Sequence, residues 1–390
     1  MATPHEGHSG SMSTTWKSSP TKMSRARKTL EGFFESCGIH INGSEPWDIR
    51  VFNDDFYARV FRQGSLGFGE SYMERWWETA DLEELIYRLL EARIDQRVHS
   101  WPDLITYLAT VLFNRQARAR AFVVGERHYD IGNDLYERML DSRMIYTCGY
   151  WENAASLEEA QRAKLDLIFR KLDLKPGQRV LDVGCGWGGA LEYAAREYGV
   201  EGVGITISRE QADYARNKCA GLPIEIRLED YRETRGDFDH IYSIGMFEHV
   251  GPKNYRAYMQ SMRRCLQPGG RFLLHTIGAN RQSASPGTDP WIEKYIFPNS
   301  KLPTKAQIGE ALDGLFAVTG EQSIGSHYVP TLRAWRANFE QHWPELKKTR
   351  DDTFYRMWEF YLQSSAASFR AENNDVWQIL LVAVERDISM

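Results

Sequence analysis

The sequence is poor in cysteine, has no long apolar run and carries no excess of basic residues. Its 390 residues include five cysteines, too few and too scattered for a disulfide framework or a paired-cysteine zinc site. The longest uninterrupted apolar run, residues 379–384, is far shorter than the roughly 18 residues that a membrane-spanning helix needs. The 48 basic and 53 acidic residues give a formal net charge of −5, which argues against nucleic acid as a partner. These features favour a cytoplasmic location and predict no metal site.

The N-terminal part of the chain is predicted to be helical after a disordered start. Residues 1–22 are rich in serine and threonine, lack the apolar segment of a signal peptide and are expected to be disordered. Residues 23–122 carry apolar residues at helical spacing, which predicts a smaller all-helical domain. Within it a glycine-rich bend at 64–69 precedes the aromatic pair Trp76 and Trp77. This aromatic cluster either packs helices together or meets acyl chains or a partner domain.

Residues 123–390 are predicted to form an α/β catalytic domain with a helical insertion at 330–371. Short apolar runs alternate with amphipathic stretches, the pattern of a mostly parallel sheet built from βαβ units. Strands are predicted at residues 179–183, 202–207, 224–228, 240–244, 271–276 and 377–384, with one more near Gly325. Helical stretches are predicted, among others, at residues 331–339 and 354–369.

A glycine-rich loop follows the first predicted strand of this domain. It reads Val180-Leu-Asp-Val-Gly-Cys-Gly-Trp-Gly-Gly189, with Asp182 inside the strand and Gly184 and Gly186 in the loop. Glycines allow close approach of a ligand to the backbone, and the N-terminus of the following helix offers free N–H groups. The G-x-G-x-G spacing differs from the G-x-G-x-x-G of dinucleotide sites. It favours the amino-acid portion of S-adenosylmethionine, although the loop alone is a weak signal.

Polar residues also follow the next two predicted strands. Thr206 and Gln211 follow the second strand, where a nicotinamide enzyme would carry an acid for the ribose. Asp230 and Tyr231 follow the third, and they suit the amino group and the ring face of adenine. Three polar loops at successive strand ends predict a Rossmann-like, S-adenosylmethionine-dependent methyltransferase domain.

Two candidate catalytic side chains end the fourth and fifth predicted strands. Glu248 follows the fourth strand and His275 ends the fifth. Each alone would more often be a buried structural residue. Because ligands of open α/β sheets bind outside the carboxyl ends of the strands, we expect both side chains to face one cavity beside the cofactor.

These segments together resemble the bacterial cyclopropane-fatty-acyl-phospholipid synthases and the related mycolic acid cyclopropane synthases. The resemblance covers nearly everything from about Gly32 to Val384. It is carried by the glycine loop and by Gly69-Glu-Ser-Tyr-Met73 with Trp76-Trp77, His128-Tyr-Asp130, Tyr146-Thr-Cys-Gly-Tyr-Trp151, Gly245-Met-Phe-Glu-His-Val-Gly-Pro-Lys-Asn-Tyr255, and Asp289-Pro-Trp-Ile292 leading to Tyr295-Ile-Phe-Pro298.

The resemblance implies a reaction, its cofactors and its site residues. The implied reaction transfers a methylene group from S-adenosylmethionine to the cis double bond of phospholipid acyl chains, through a carbocation that a bound bicarbonate deprotonates. The implied bicarbonate site consists of Cys148, Glu248, His275, Ile277 (through its backbone) and Tyr328. The implied cofactor site consists of Tyr146, Thr147, Asp182, Gly184, Gly186, Thr206, Gln211, Asp230 and Tyr231. The family also implies a homodimer bound peripherally to the inner membrane, with intact phospholipid as substrate.

Several alternatives stay open at the level of the sequence. A related fatty-acyl methyltransferase would give a methyl-branched or methylene-branched product from the same cation. A lipid-binding protein with a vestigial cofactor pocket is a second alternative, and nucleic-acid methylation, which the acidic balance opposes, is a third. Two basic clusters are either solvated faces or docking sites for anionic lipid, and they comprise Arg115, Arg118, Arg120 and Arg127, and Lys347, Lys348 and Arg350.

Overall fold

The computed structural model describes residues 20–92, 132–280 and 289–384. The strands in these ranges are β1 (Arg50–Val51), β2 (Trp77–Glu78), β3 (Arg179–Val183), β4 (Glu201–Thr206), β5 (Ile224–Leu228), β6 (Phe238–Ile244), β7 (Leu266–Ala279), β8 (Phe316–Ser323) and β9 (Asn374–Ala383). The helices are α1 (Pro20–Ser36), α2 (Asp55–Met73), α3 (Leu82–Glu91), α4 (Asn133–Met139), α5 (Leu157–Leu172), α6 (Gly189–Tyr198), α7 (Arg209–Lys218), α8 (Tyr255–Cys265), α9 (Pro290–Tyr295), α10 (Lys305–Leu312), α11 (Tyr328–Leu346) and α12 (Asp352–Arg370).

Three of the sequence-based predictions fall on residues outside these ranges. They are the domain boundary between residues 122 and 123, the segment His128-Tyr-Asp130, and the basic cluster from Arg115 to Arg127. The predicted disorder of residues 1–22 can be compared with the structure only at its end. There α1 already begins at Pro20, so the prediction of disorder is wrong for residues 20–22.

Seven strands form one sheet in the order β5-β4-β3-β6-β7-β9-β8. The strands β3 to β7 run parallel to one another, whereas β9 is antiparallel to both β7 and β8. Two hydrophobic clusters cover the sheet, and each combines strand residues with residues from the connecting helices. Burial on both faces explains why the parallel strands read as short apolar runs. The predicted α/β class with a mostly parallel seven-stranded sheet is confirmed. The N-terminal region is not all-helical as predicted, because β1 and β2 pair there as a two-stranded antiparallel sheet.

Most predicted strands lie close to their predicted positions. The ends of β3 and β5 agree with the prediction, whereas β7 extends well beyond the predicted 271–276. The strand expected near Gly325 is β8, which ends just before that residue. The helices α11 and α12 lie between β8 and β9, where the helical insertion at 330–371 was expected.

The N-terminal helices share a hydrophobic core with the helices that follow β8. Phe68 of α2 contacts Phe360 of α12, with ring centroids 6.3 Å apart, and Trp291 of α9 lies 4.6 Å from the same ring. The side chains of Tyr72 and Trp77 are buried within this cluster. For these two aromatics the structure therefore shows helix packing, the first of the two interpretations offered for the aromatic cluster.

The glycine-rich bend and the motif that follows it have a structural explanation. Gly64 interrupts α2 with φ 56° and ψ −133°, a conformation that side chains other than glycine rarely adopt. A Cβ atom at Gly69 would lie 2.4 Å from Cδ1 of Trp291, so that only glycine lets α2 approach α9 this closely. The carboxylate of Glu70 accepts hydrogen bonds from Lys294 and Tyr295 at the same contact. Two segments of the family resemblance thus pack on each other.

Within the described ranges, no helix is both long enough and apolar enough to cross a membrane.

Candidate functional site

The candidate site lies at the carboxyl ends of the central strands. β3 has β4 on one side and β6 on the other, so the loops that follow β3 and β6 diverge and leave a crevice between them. The glycine loop follows β3, the segment that contains Glu248 follows β6, and His275 lies on the neighbouring strand β7. The topology therefore brings the predicted cofactor loop and the predicted catalytic residues to the same edge of the sheet.

The glycine loop has the geometry that a ligand-binding backbone needs. Gly184 and Gly186 have positive φ values of 88° and 52°. A Cβ atom at Gly184 would clash with Met246 at 2.7 Å, whereas one at Gly186 would meet nothing within 4 Å. The N–H of Gly184 donates to the carbonyl of Ile205 at 3.0 Å, which joins the loop to β4. The loop is thus fixed at Gly184 and has free space beside Gly186. The helix α6 begins three residues later, at Gly189.

Thr206 and Gln211 form one hydrogen-bonded unit at the end of β4. The Thr206 hydroxyl donates to Oε1 of Gln211 at 2.9 Å, and both side chains are buried. The hydroxyl of Ser208 accepts the backbone N–H of Gln211 and caps α7. Because the carbonyl oxygen of the Gln211 side chain is engaged, its amide N–H groups are the part that can serve a ligand.

The two residues predicted at adenine differ in their surroundings. The carboxylate of Asp230 pairs with Arg232 at 3.0 Å and keeps 20% of its side-chain surface exposed. Tyr231 is only 5% exposed, and its ring packs edge-on against Tyr258, with centroids 5.0 Å apart. The ring of Tyr231 is committed to core packing, so its contact with an adenine ring stays a prediction that this packing does not favour.

The segment of residues 146–151 connects the cofactor side of the site with the catalytic side. The methyl group of Thr147 lies against Gly245, where a Cβ atom would be 2.6 Å from its Cγ2. The Thr147 hydroxyl accepts a hydrogen bond from Nζ of Lys164 at 2.9 Å. The Tyr146 hydroxyl donates to the hydroxyl of Tyr361 at 2.8 Å. Thr147 is therefore held from both sides, whereas Tyr146 is directed towards α12.

Lys164 is a buried charged residue that the sequence analysis missed. It lies on α5 with no exposed surface, on the same face as the buried Gln161 and Ile168. Burial lowers the pKa of Lys164 to about 8, although Asp141, Cys148 and Asp182 oppose this shift. Burial likewise raises the pKa of Asp182 to about 7. A lysine on the apolar face of an amphipathic helix is the sequence signal that could have identified it.

Glu248 has one oxygen atom bound and one without a partner. Its Oε1 accepts the backbone N–H of Ile277 at 2.6 Å. Its Oε2 is buried and has no hydrogen-bond partner among the described residues. Burial raises the pKa of Glu248 to about 7, against the opposing effects of the Ile277 N–H, its own backbone N–H and the Thr276 side chain. An orphaned carboxylate oxygen in a dry site indicates that a ligand with a donor group belongs there.

The imidazole of His275 forms a hydrogen bond with a glutamine of the neighbouring strand. Its Nδ1 lies 3.3 Å from Nε2 of Gln378, and the two residues are register partners across β7 and β9. Burial lowers the pKa of His275 well below its ordinary value, with further lowering by Lys164 and Lys171. The imidazole is therefore neutral at physiological pH. Gln378 was also missed, although a glutamine within an apolar strand is a visible signal.

Cys148 and Tyr328 are the remaining side chains of the predicted cradle. The thiol of Cys148 donates to the carbonyl of Gly149 at 3.2 Å and of Ile324 at 3.8 Å. Burial raises its pKa far above the ordinary value, so the thiol is a donor and no nucleophile. Burial also raises the pKa of Tyr328 well above its ordinary value, and the neighbouring Tyr361, Cys148 and Glu248 add to this effect. Tyr328 and Cys148 belong to the same hydrophobic cluster, which also contains Trp335.

An aromatic cluster borders this cradle. The ring of Tyr146 lies 5.1 Å from Trp335, and Tyr328 lies 5.8 Å from the same indole in an edge-on arrangement. Phe297 packs on Tyr361 with centroids 5.8 Å apart. Among the described residues no group of three or more His, Cys, Asp or Glu side chains is arranged to hold a metal ion. The predicted site thus combines packed aromatic rings with a few buried polar side chains, among them Glu248 and His275.

Solved structures with the same architecture define the class of protein. The cyclopropane synthase MmaA2 of Mycobacterium tuberculosis matches with a TM-score of 0.64 and 32% identity, over 67% of this chain and 98% of that chain. Mycolic acid cyclopropane synthase CmaA1, complexed with SAH and CTAB, matches with a TM-score of 0.63 and 32% identity, over 67% and 97% of the two chains. Coclaurine N-methyltransferase, with a TM-score of 0.65, covers 80% of this chain and 98% of its own, but at 19% identity it shares only the fold. The chain is an S-adenosylmethionine-dependent methyltransferase.

Sequence relatives narrow this class to one family. Residues 116–379 match the family described as mycolic acid cyclopropane synthetase. The cyclopropane-fatty-acyl-phospholipid synthase of Escherichia coli strain K12 is 48% identical over 345 residues, which are 88% of this chain and 90% of that protein. The tuberculostearic acid methyltransferase UfaA1 of Mycobacterium tuberculosis is 33% identical over 362 residues, 84% of this chain and 81% of its own. The chain belongs to the mycolic acid cyclopropane synthetase family, which confirms the resemblance.

Proposed function

We propose that this chain transfers a methylene group from S-adenosylmethionine to the cis double bond of unsaturated acyl chains in membrane phospholipids, and so forms a cyclopropane ring. The observation that carries the proposal is the buried carboxylate of Glu248, which has one oxygen bound to Ile277 and the other without a partner. The 48% identity to a cyclopropane-fatty-acyl-phospholipid synthase over most of both chains supports the choice of substrate.

The reaction makes three physical demands on the protein. An unactivated alkene is a poor nucleophile, so the chain must hold the double bond at about 3 to 3.5 Å from the methyl group that bound S-adenosylmethionine supplies. Methyl transfer leaves a carbocation, which must be kept away from water. A base must then remove a proton from the transferred methyl group, so that the ring closes onto the cationic carbon.

The residues of the cradle fit a bicarbonate ion as that base. The free oxygen of Glu248 is an acceptor that needs a donor, and bicarbonate carries one hydroxyl group. Tyr328 and His275 would donate to its remaining oxygens, while Glu248 would orient the ion through its hydroxyl. When bound, bicarbonate would supply the base that takes the proton from the new methyl group. Glu248 and Ile277 remain bound to each other, so the orientation of the carboxylate is set in advance.

The aromatic cluster suits the cationic stage of the reaction. The rings of Tyr146 and Tyr328 both pack on Trp335, and Tyr328 is itself a predicted residue of the cradle. An aromatic face stabilises a desolvated cation by about 0.5 to 2 kcal/mol. The same rings exclude water, which would otherwise trap the cation as an alcohol.

Membrane association and assembly belong to the same proposal. The substrate resides in a bilayer, so the chain has to meet the membrane surface peripherally, on the cytoplasmic side of the inner membrane. Lys347 and Lys348 are exposed at the end of α11, and each could contribute about 1 kcal/mol on an anionic surface. Their neighbour Arg350 instead pairs with Asp134 at 2.6 Å. The homodimer rests on the family resemblance alone, and sedimentation of the purified chain tests it.

Product analysis tests the proposed function. The full chain would be incubated with labelled S-adenosylmethionine and vesicles of unsaturated phospholipid, and the acyl chains analysed by mass spectrometry and proton nuclear magnetic resonance. The proposal expects acyl chains that gain one CH2 unit and show cyclopropane ring protons. Resonances of a methyl branch or of an exocyclic methylene would contradict it and favour the branched-chain alternative, the type of activity that the name of UfaA1 describes.

A further inference from the structure

We propose that Lys171 and Gln378 are positioning residues that fix the tautomer of His275, so that its proton is carried on Nε2. This inference deepens the proposed function and rests on it for its catalytic meaning. Its structural basis is a pair of consecutive hydrogen bonds that ends at Nδ1 of the imidazole. Nζ of Lys171 donates to Oε1 of Gln378 at 2.6 Å, and Nε2 of Gln378 lies 3.3 Å from Nδ1 of His275.

Lys171 determines which atom donates in each of these two hydrogen bonds. An ammonium group has three donors and no acceptor, so the atom of Gln378 that faces Lys171 must be the carbonyl oxygen. The amide group is planar, and its NH2 therefore faces His275. Gln378 is only 1% exposed, so water cannot substitute for either partner. The two ends of a glutamine amide are otherwise hard to tell apart, and here the lysine distinguishes them.

The orientation of the Gln378 amide determines which ring nitrogen of His275 carries the proton. Because Gln378 donates, Nδ1 of His275 must accept and carries no proton. A neutral imidazole has one N–H, which must then lie on Nε2. The neutral state follows from burial of the ring and from the two nearby cations, Lys164 and Lys171. Lys171 is itself still charged at neutral pH, because burial lowers its pKa only to about 8.

The consequence is a histidine that acts as a hydrogen-bond donor in the site. Only one of the two ring nitrogens is bound to Gln378, and the described residues give the imidazole no other hydrogen bond. An N–H at Nε2 is the donor that the oxygen of an anion needs. The opposite tautomer would present a lone pair to the same oxygen and repel it. Lys171 on α5 and Gln378 on β9 thus select the donor tautomer without touching a ligand.

Nuclear magnetic resonance of the full chain tests the inference directly. The chain labelled with 15N at histidine would be studied at neutral pH without added ligand, by long-range correlation of imidazole protons with both ring nitrogens. The resonances of His275 among the ten histidines are assigned by their loss in His275→Asn. The expected result is a protonated Nε2 and an unprotonated Nδ1. A protonated Nδ1 in the unmodified chain would overturn the inference.

Three variants separate tautomer control from simple packing. Gln378→Glu replaces the donor by a carboxylate that only accepts, so the proton should appear on Nδ1, and turnover should fall about 10- to 100-fold with cofactor affinity kept. Lys171→Met frees the amide to rotate and should give a mixture of tautomers, which Lys171→Arg reverses. Lys175→Met, at an exposed lysine paired with Asp173, is the matched control and should leave His275 unchanged.

The outcomes distinguish this inference from the proposed function. An unprotonated Nδ1 in Gln378→Glu, or a tautomer that Lys171→Met leaves unchanged, refutes the inference even if the chain makes cyclopropanes. If Gln378→Glu fails to fold, the comparison of Lys171→Met with Lys171→Arg decides. A chain with the expected tautomer but without cyclopropane product would instead refute the proposed function.

Discussion

At the scale of single residues, Glu248 is the most informative position. Replacing it by glutamine keeps the acceptor that binds the Ile277 N–H but removes the negative charge and adds a donor at the other position. We expect Glu248→Gln to lower turnover by about 10² to 10⁴ while the dissociation constant of S-adenosylmethionine stays nearly unchanged, because only the base would be mispositioned. Steady-state kinetics with calorimetry of cofactor binding checks this. A variant with full turnover would show that Glu248 has no such role.

Glu248→Gln, which should lower turnover, should at the same time raise the stability of the folded chain. Burial raises the pKa of Glu248 from an ordinary value of 4.5 to about 7, so between these values the folded chain holds a proton that the unfolded chain releases. The native state therefore loses stability as the pH rises through this window, by up to about 3 kcal/mol above pH 7. Glutamine carries no such penalty.

Denaturant unfolding at several pH values measures this effect. Glu248→Gln should be more stable than the unmodified chain at about pH 8, and the difference should shrink towards pH 5. Glu310→Gln, at an exposed glutamate, should show no such pH-dependent gain. A Glu248→Gln variant that is less stable at the higher pH would contradict the buried, charged carboxylate described here.

Gln211 provides a residue-scale test of the cofactor site. Gln211→Ala removes the amide that Thr206 holds in place, and the loss of one hydrogen bond to a ligand should weaken S-adenosylmethionine binding about 3- to 10-fold. Glu210→Ala, at the exposed neighbouring position of α7, is the matched control. Calorimetry with the cofactor alone gives both constants. Equal affinity of the two variants would remove Gln211 from the site.

The site could be predicted from the sequence where its residues follow apolar runs, although β7 continues past His275 to Ala279, so that this residue does not end its strand as predicted. The glycine loop, Glu248 and His275 each follow an apolar run, and this position is visible in a linear pattern. The contact between Lys171 and Gln378 escaped prediction because it joins positions 207 residues apart, and a pattern of one sequence does not encode such pairs. The burial of Tyr231 was missed for the same reason, since Tyr231 lies in the turn after β5 and its partner Tyr258 lies on α8.

At the scale of structural elements, the contact between α2 and α9 is a test of the packing. Gly69→Ala would place a Cβ atom 2.4 Å from Trp291, and the resulting strain should lower the free energy of unfolding by about 1 to 3 kcal/mol. Gly32→Ala is the matched control, because a Cβ atom there meets nothing within 4 Å. Within α1 that change should instead stabilise by about 0.5 to 1 kcal/mol. Equal effects of both substitutions in urea unfolding would contradict the contact.

The elements themselves were predictable where their apolar periods were clear. The parallel strands are apolar because both faces of the sheet are covered, and the polar residues that flank them give them recognisable ends. The helix predicted at 331–339 instead runs from Tyr328 to Leu346 and includes Pro344. Proline normally ends a helix, but here it lies in the last turn, where the chain leaves the helix only three residues later. The part of α11 after residue 339, which includes Pro344, lay outside the predicted helix.

At the scale of the whole molecule, the helical N-terminal region and the α/β region are joined by a common core. One hydrophobic cluster contains Phe34 and Phe68 from the first region and Trp335 and Phe360 from the second. Tyr328 and Trp335 of the site belong to the same cluster. The N-terminal helices therefore support the helices that border the candidate site, a relation that composition and periodicity alone did not reveal.

The central claim is that the chain closes a cyclopropane ring by removing one proton from the transferred methyl group. The most direct measurement supplies S-adenosylmethionine with three deuterons on that methyl group, in buffer depleted of bicarbonate and in buffer containing it. Mass spectrometry of the acyl chains then counts the deuterons retained. The account predicts two of the three deuterons in a ring CD2 group, at a rate that bicarbonate restores. Retention of all three deuterons, or a rate indifferent to bicarbonate, would contradict it.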